Sequence, residues 1–446
     1  MRKAAILALL FAGLQLILPL KTDERAGVSP SLLLFGFLIL AAYTVGELAT
    51  PLTLPRITGF LFAGILFGPS VLGILSVESV EELAPVSSLA IALIAFLAGA
   101  ELRWRELRER ARLLLGMLGF ELALSFIGIA GLLLALRRWV PFLEGGWPEM
   151  IALAALFAAV AIVHSPAVVM ALLTETRARG PVARTTLGIV LVTDVVVVLI
   201  FSAVLAIARA IIPSSGGPEL SAGLLAWEIG GSLIVGAALG GATALYLRFV
   251  QSELFIFAII VAFLGAEIAS LLHVETLLTL LVAGFVTENV TKRGSAELLH
   301  AMERSAAPVF VVFFALAGAS IALGELASIW PLALGIVAVR MLAVWGGCAI
   351  GARVGNAGLF ERRYTWMGLI AQAGVAIGLV TVVVDAYPEQ GSAMRTLFLS
   401  VIAINQVVGP VLARLALVRS GEVVPEPGES AAKAPVANGT DPTPTH

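Results

Sequence analysis

Apolar residues run along this chain in blocks of about 20, the length that crosses a ~30 Å hydrocarbon core as a helix, and short polar stretches separate the blocks. After a first block from Ala4 to Leu20, the pattern predicts spans at 31–48, 54–75, 85–102, 113–136, 149–173, 184–210, 221–247, 253–272, 275–290, 306–323, 328–353, 364–386 and 394–418. That is thirteen spans and one extra N-terminal block. The predicted fold is an all-α integral membrane protein.

Polar segments between the blocks divide into two kinds. "RWRELRERAR" (103–112), "ETRARGPVAR" (175–184), Arg248, "TKRGSAELLHAMER" (291–304) and "RVGNAGLFERR" (353–363) carry most of the Arg and Lys, whereas "SVESVEEL" (76–83), "PSSGGPEL" (213–220) and "DAYPEQGS" (385–392) are acidic or neutral. The two kinds alternate, so the positive-inside rule predicts a cytoplasmic basic side and a cytoplasmic C-terminus. The segment 419–446 is rich in Pro, Gly, Ala and acidic residues, too poor in large apolar side chains to bury a core, and is predicted to be a disordered tail. At the other end, Arg2 and Lys3 before the first block fit either a signal peptide or a spanning helix. The exit into "KTDERAGVSP" without a small-x-small cleavage site favours a retained helix and loop over 1–30.

The thirteen spans divide as six, one and six. Because seven is odd, equivalent helices of the two sixes cross in opposite directions, the arithmetic of an inverted repeat. Interruptions fall in corresponding places: the fifth span of the first set holds "AIVHSPAVV" (161–169) with Pro166, and the fifth of the second holds "LIAQAGVAIGL" (369–379) with Gln372 and Gly374. Proline removes a backbone donor and clashes with the preceding turn, so the first helix should break near Ser165. Unpaired backbone survives at membrane depth only inside protein or beside a watery cavity, and paired broken helices point to a transporter's central site.

Composition agrees with this picture. The 446 residues are 59% hydrophobic and 13% charged, with a mean hydropathy of +1.02. With 28 Lys and Arg against 30 Asp and Glu, no global basic field favours nucleic acid. The single Cys348 leaves no intramolecular disulfide, and no spacing of Cys and His suggests zinc or another cofactor.

Charge placed deep in a span costs about 2.5–3.5 kcal/mol on insertion scales, which makes it a functional candidate by default. In "GIVLVTDVVVVLIF" (188–201) the one such charge is Asp194. A desolvated carboxyl group is poised between holding a proton and holding a small cation, for which hard oxygen ligands are suited; the plain alternative is a structural acid bonded to a neighbouring helix. Arg340 is the deep cation. Being permanently charged it cannot carry protons, which leaves it to neutralise a carboxylate or to balance helix-end dipoles where the broken helices cross. His164, Ser165 and Gln372 sit at the breaks, where they could repair freed backbone or line an ion path, and His164 could also sense pH. Glu121, a second deep acid, lies on the counterpart of the Arg340 helix, so Arg340 could face either Glu121 or Asp194. Glu47, Glu228, Glu267 and Glu288 read as solvated or structural. The Gly-rich "GFLFAGILFGP" (59–69) suits close helix packing, without the Lys of a phosphate loop.

Together, "LPRITGFLFAGILFGPSVLG" (54–73), "FLAGAELRWRELR" (96–108), "AIVHSPAVVMALLTE" (161–175), the Asp194 helix, "APVFVVFFALAGASIAL" (307–323), Arg340 and "AQAGVAIGL" resemble the monovalent cation:proton antiporter superfamily, its sodium/hydrogen exchanger branch, over residues 31–418. The resemblance implies a homodimer in the cell membrane whose core domain, with two crossed broken helices, moves against a dimerisation domain to exchange Na+ or K+ for protons. It matches Asp194 to the ion-binding aspartate and Arg340 to the intramembrane Lys or Arg, and places His164 and Ser165 in the first broken-helix motif and Gln372 in the second. The departure is Thr193, where electrogenic relatives carry an aspartate and many electroneutral ones an asparagine. One carboxylate at this position implies electroneutral exchange, with cation and proton competing for Asp194. Two rivals stand beside this reading. One is a gated potassium-efflux or channel-like relative; the other, of a different class, is an intramembrane aspartyl protease, which needs two deep aspartates where this chain has one.

Overall fold

The computed structural model describes residues 30–212, 222–249, 254–291, 295–372 and 375–423. The first apolar block, the loop at 213–220, Gly374 and the tail beyond residue 423 lie outside the described residues. Among the described residues sixteen α-helices run in the order α1 (Pro30–Ala49), α2 (Arg56–Phe67), α3 (Val77–Glu82), α4 (Ala84–Ala100), α5 (Trp104–Ala135), α6 (Trp147–Ala161), α7 (Pro166–Thr176) and α8 (Pro181–Ile211). They continue as α9 (Ala222–Phe249), α10 (Leu254–Leu271), α11 (Thr276–Val290), α12 (Ser295–Ala319), α13 (Leu323–Val354), α14 (Leu359–Gly368), α15 (Val375–Ala386) and α16 (Pro388–Arg419). Strands are absent from the described residues.

Helix lies on each of the thirteen predicted spans. Among the described residues, seven helical segments are long and apolar enough to cross a membrane unaided, among them Trp147–Thr176, which contains the break. The remaining spans are shorter apolar helices of 10–17 residues or helix halves. Chain punctuation sets their ends: α2 stops at Phe67 before Gly68 and Pro69, while α7, α8 and α16 each begin at a proline, in the first turn where its missing N–H is not needed. In the other direction, charged stretches predicted as loops proved helical. Residues 104–112 form the first turns of α5 and residues 295–304 those of α12. Hydropathy marks where the apolar core ends, whereas Arg, Glu and Leu remain good helix formers beyond it.

Large apolar side chains such as Leu40, Ile127, Leu199, Ile207, Ile234 and Leu342 are exposed on the outside, while Glu121, His164, Thr193, Arg340, Gln372 and Asn405 are buried inside. That inversion of the usual soluble pattern suits a lipid surround. Exposed Trp104, Trp147 and Trp227 stand near helix starts, where indole rings favour the membrane interface.

The principal contacts gather the helices into two groups, α1, α2, α4 and α9–α12 in one, α5–α8 and α13–α16 in the other. In the first group α2 packs on α12 and α4 on α11; in the second, α5 packs on α13 along its length. A side chain at Gly99 of α4 would strike the Leu281 carbonyl of α11, and one at Gly284 of α11 would strike the Phe96 carbonyl of α4. Those helices touch backbone to backbone, so only glycine fits at the crossing.

Candidate functional site

The first broken helix ends at Ala161, is interrupted over residues 162–165 and restarts at Pro166. Ser165 adopts an extended conformation as N-cap, its hydroxyl accepting from the Val168 N–H. The second broken helix ends at Gly368 and resumes at Val375. The two gaps meet: the Ser165 N–H donates to the Ala371 carbonyl at 3.0 Å. Gln372 reaches across to donate from Nε2 to the Ala161 carbonyl at 2.6 Å.

Two half-helix C-termini converge here, and each carries carbonyls without intrahelical partners and roughly half a negative charge. Arg340, on α13 and fully buried, is the group that answers both. Its Nε donates to Ala161 O (2.9 Å), Nη1 to Ile370 O (2.8 Å), and Nη2 to Val163 O (3.0 Å) and Leu369 O (3.2 Å). Nη2 also lies 3.0 Å from His164 Nδ1. A guanidinium has no acceptor. His164 Nδ1 must therefore accept, which puts the ring proton on Nε2, 3.2 Å from Glu121 Oε2. Ser125 donates to the other Glu121 oxygen at 3.2 Å. Arg340, His164, Glu121 and Ser125 thus form one buried relay. Of the two partners the sequence allowed Arg340, the geometry brings it towards Glu121, through an imidazole.

Asp194 stands apart from that network. It lies on α8, which packs against α6 and α14, and it is only 5% exposed. Neither carboxylate oxygen accepts a hydrogen bond from any described residue. Thr193 is buried beside it, but its hydroxyl donates to the Ile189 carbonyl of its own helix at 2.7 Å. Of the sequence candidates, then, the structure joins Glu121, His164, Ser165, Arg340 and Gln372 at the crossing, and holds Thr193 and Asp194 on the adjacent helix with no hydrogen bond to it. Glu47 and Glu288 are structural partners, in ion pairs with Arg56 and Arg103, each at 3.1 Å.

Asn405 escaped the sequence reading. On α16 and fully buried, it donates from Nδ2 to Gln372 Oε1 at 2.7 Å, extending the crossing's polar network to the last helix. The "INQ" at 404–406 was the available signal, two amides inside an apolar span.

On the side carrying Arg184 and Glu288, a cavity of about 310 Å³ opens between the two helix groups, lined by Glu101, Arg103, Glu106, Arg110, Arg184 and Gly188 among others. Gly188 lies on α8 six residues before Asp194, about 9 Å along the helix at 1.5 Å per residue.

The sodium/hydrogen exchanger transmembrane family model matches residues 35–418. The chain belongs to the sodium/hydrogen exchanger family. Among curated relatives, it is 27% identical over 346 residues to the Na(+)/H(+) antiporter NhaS5 of Synechocystis, a match covering 75% of this chain and 45% of that protein. It is 30% identical over 172 residues to the iron transporter MagA of Paramagnetospirillum magneticum, covering 38% of this chain and 36% of the relative. The chain therefore spans less than half the length of either. Two structures of the sodium proton antiporter MjNhaP1 from Methanocaldococcus jannaschii superpose with TM-scores of 0.61 and 0.67, covering 87% and 88% of this chain and 95% and 98% of theirs. At 16% identity these share the fold.

Proposed function

We propose that this exchanger-family chain is a secondary active antiporter that moves a monovalent cation, Na+ or K+, against protons by alternating access. One observation carries the assignment of the site: Asp194 is the ionisable side chain beside the crossing whose oxygens no described residue engages, whereas Glu121 and Arg340 are both occupied with neighbours. A buried carboxylate needs a proton or a cation to offset its desolvation. Exchange follows when the two compete for the same oxygens, and the hard-oxygen donor suits an alkali ion.

Arg340 has a separate duty. It neutralises the two half-helix ends, so the crossing keeps its shape whichever ion Asp194 holds. Thr193 supplies no second charge at the neighbouring position, which supports one proton per monovalent cation and no net charge per cycle. The helix groups supply the two bodies that alternating access requires. The reciprocal packing of α2 on α12 and α4 on α11 supports an inverted repeat, since these are the second and third helices of opposite sets. By the positive-inside rule the Arg-rich segments and the C-terminus face the cytoplasm of a cell whose bounding membrane holds the protein as a homodimer.

The test is proton movement in proteoliposomes on addition of Na+ or K+. Asp194→Asn should abolish it while leaving the detergent-solubilised protein monodisperse; exchange that survives would overturn the assignment. In the unaltered protein an imposed membrane potential should leave the rate unchanged, and potential-driven flux would overturn the stoichiometry.

A further inference from the structure

The chain passes between the two helix groups from α4 to α5, from α8 to α9 and from α12 to α13. The first and last of these passages are three residues each, 101–103 and 320–322, and they are built alike. "LAGAEL" (97–102) leads into one and "LAGASI" (316–321) into the other. The Glu101 N–H donates to the Leu97 carbonyl and the Leu102 N–H to Gly99; in the same pattern, Ser320 donates to Leu316 and Ile321 to Gly318. Each passage opens a helix of 32 residues, α5 or α13, and the residue before that helix, Arg103 or Ala322, contributes no capping side chain. Because α5 starts in the basic segment 103–112 and α13 ends in the basic segment 353–363, the two passages lie at opposite faces.

A side chain from the α1, α2, α4 and α9–α12 group makes good the missing cap at both. Asn289 of α11 accepts at Oδ1 from the Trp104 N–H, the first of α5, at 2.8 Å, and donates from Nδ2 to the Leu102 carbonyl at 2.8 Å. Ser70, in the turn after α2, accepts at its hydroxyl from the Leu323 N–H, the first of α13, at 3.3 Å and donates to the Ile321 carbonyl at 2.6 Å. Both clamps thus hold the first helical N–H and the carbonyl two residues before it. Their supports match as well. A side chain at Gly64 of α2 would strike the Ala315 carbonyl of α12, and one at Gly318 of α12 the Leu61 carbonyl of α2, which is the backbone contact already seen between α4 and α11. Each clamp therefore stands on a helix, or the turn that ends it, locked to the helix that leads into its passage. Hinges are element-terminal residues that absorb the bend between two rigid bodies.

We infer that 101–103 and 320–322 are paired hinges of the exchanger, and that Asn289 and Ser70 are positioning residues that pin them, each clamp staying closed while α5 and α13 tilt about it. This rests on the alternating-access reading above. With the first N–H satisfied, movement reaches α5 and α13, and with α13 the Arg340 crossing, as a rigid tilt instead of unwinding their first turns. The competing explanation is that both side chains are helix caps and nothing more.

Covalent linkage separates the two. In full-length protein in proteoliposomes, Asn289→Ala and Ser70→Ala should each lower the maximal rate of cation-driven proton movement about fivefold, the kinetic equivalent of one lost hydrogen bond. The half-saturating Na+ or K+ concentration should stay unchanged, since Asp194 is untouched. Leu102→Cys/Asn289→Cys, which lacks the same clamp, should be as slow in reductant and recover towards the unaltered rate when a short thiol-cleavable reagent joins the two cysteines. A loss confined to melting temperature in both alanine variants, or a cross-linked pair slower than its reduced form, would overturn the inference, the second result by showing that the clamp must open. Unaltered protein that moves no protons on cation addition would take down the antiporter reading and the hinges with it. Normal exchange there, together with normal rates in both alanine variants, removes the hinges alone.

Discussion

At the residue scale the crossing depends on how many donors one side chain offers. Arg340 makes five contacts, four to backbone carbonyls and one to His164. Lysine would keep the charge but bring three donors on a point-like ammonium. Gln372 still serves the Ala161 carbonyl, so Arg340→Lys leaves at least one of the other four buried acceptors without a partner, at about 1–3 kcal/mol, and thermal melting in detergent should fall accordingly; an unchanged melting temperature would show that these acceptors are satisfied some other way. Deep charges were the legible part of this site, since Asp194, Arg340 and Glu121 each interrupt an apolar run. The relay joining Arg340 to Glu121 was not. Nothing in the order of residues says that His164 stands between Arg340 and Glu121, because 43 and 176 positions of chain separate the contacts. Asn405 was harder still: an uncharged amide in a span costs little enough to pass as an ordinary polar residue, and only its partner Gln372, on another helix, gives it meaning.

At the element scale, breaks were easier to foresee than ends. Pro166 announces the first gap, and the structure starts α7 on that residue. The end of the last helix is subtler. Within the segment the sequence assigned to the tail, Glu422 folds back on α8, its two oxygens accepting from the Val182 and Ala183 N–H groups at 2.8 Å each. Its negative charge lies where the helix dipole is positive, and it engages donors that the helix cannot satisfy itself. The helix so capped is the one that carries Asp194. Ending the chain after Gly421 should cost about 1 kcal/mol of stability, the usual worth of an N-cap, while ending it after Val423 should cost nothing. Equal melting of the two truncations would show that the cap contributes no stability. Composition could mark 419–446 as unable to build a core; it could not show that one carboxylate near its start has a helix end to bind.

For the whole molecule, the class of fold was legible because lipid imposes one rule on every span, and the grouping of helices was not, because it depends on contacts between spans far apart in sequence. That grouping makes a demand of its own. If the α5–α8 and α13–α16 group moves against the other, contacts across the seam must open during each cycle. One such contact is identifiable: Glu175, at the end of α7, accepts from the Arg56 N–H that begins α2, at 3.0 and 3.2 Å from its two oxygens. Replacing both residues by cysteine and joining them with a short thiol-cleavable bifunctional reagent fixes the seam at that point. The chain's own Cys348 is buried and so sheltered from the reagent. Cross-linked Arg56→Cys/Glu175→Cys protein should lose cation-driven proton movement, and a reductant should restore it to the level of the same variant never cross-linked. Full activity in the cross-linked state would mean that this seam stays shut throughout transport, and that the moving boundary lies elsewhere.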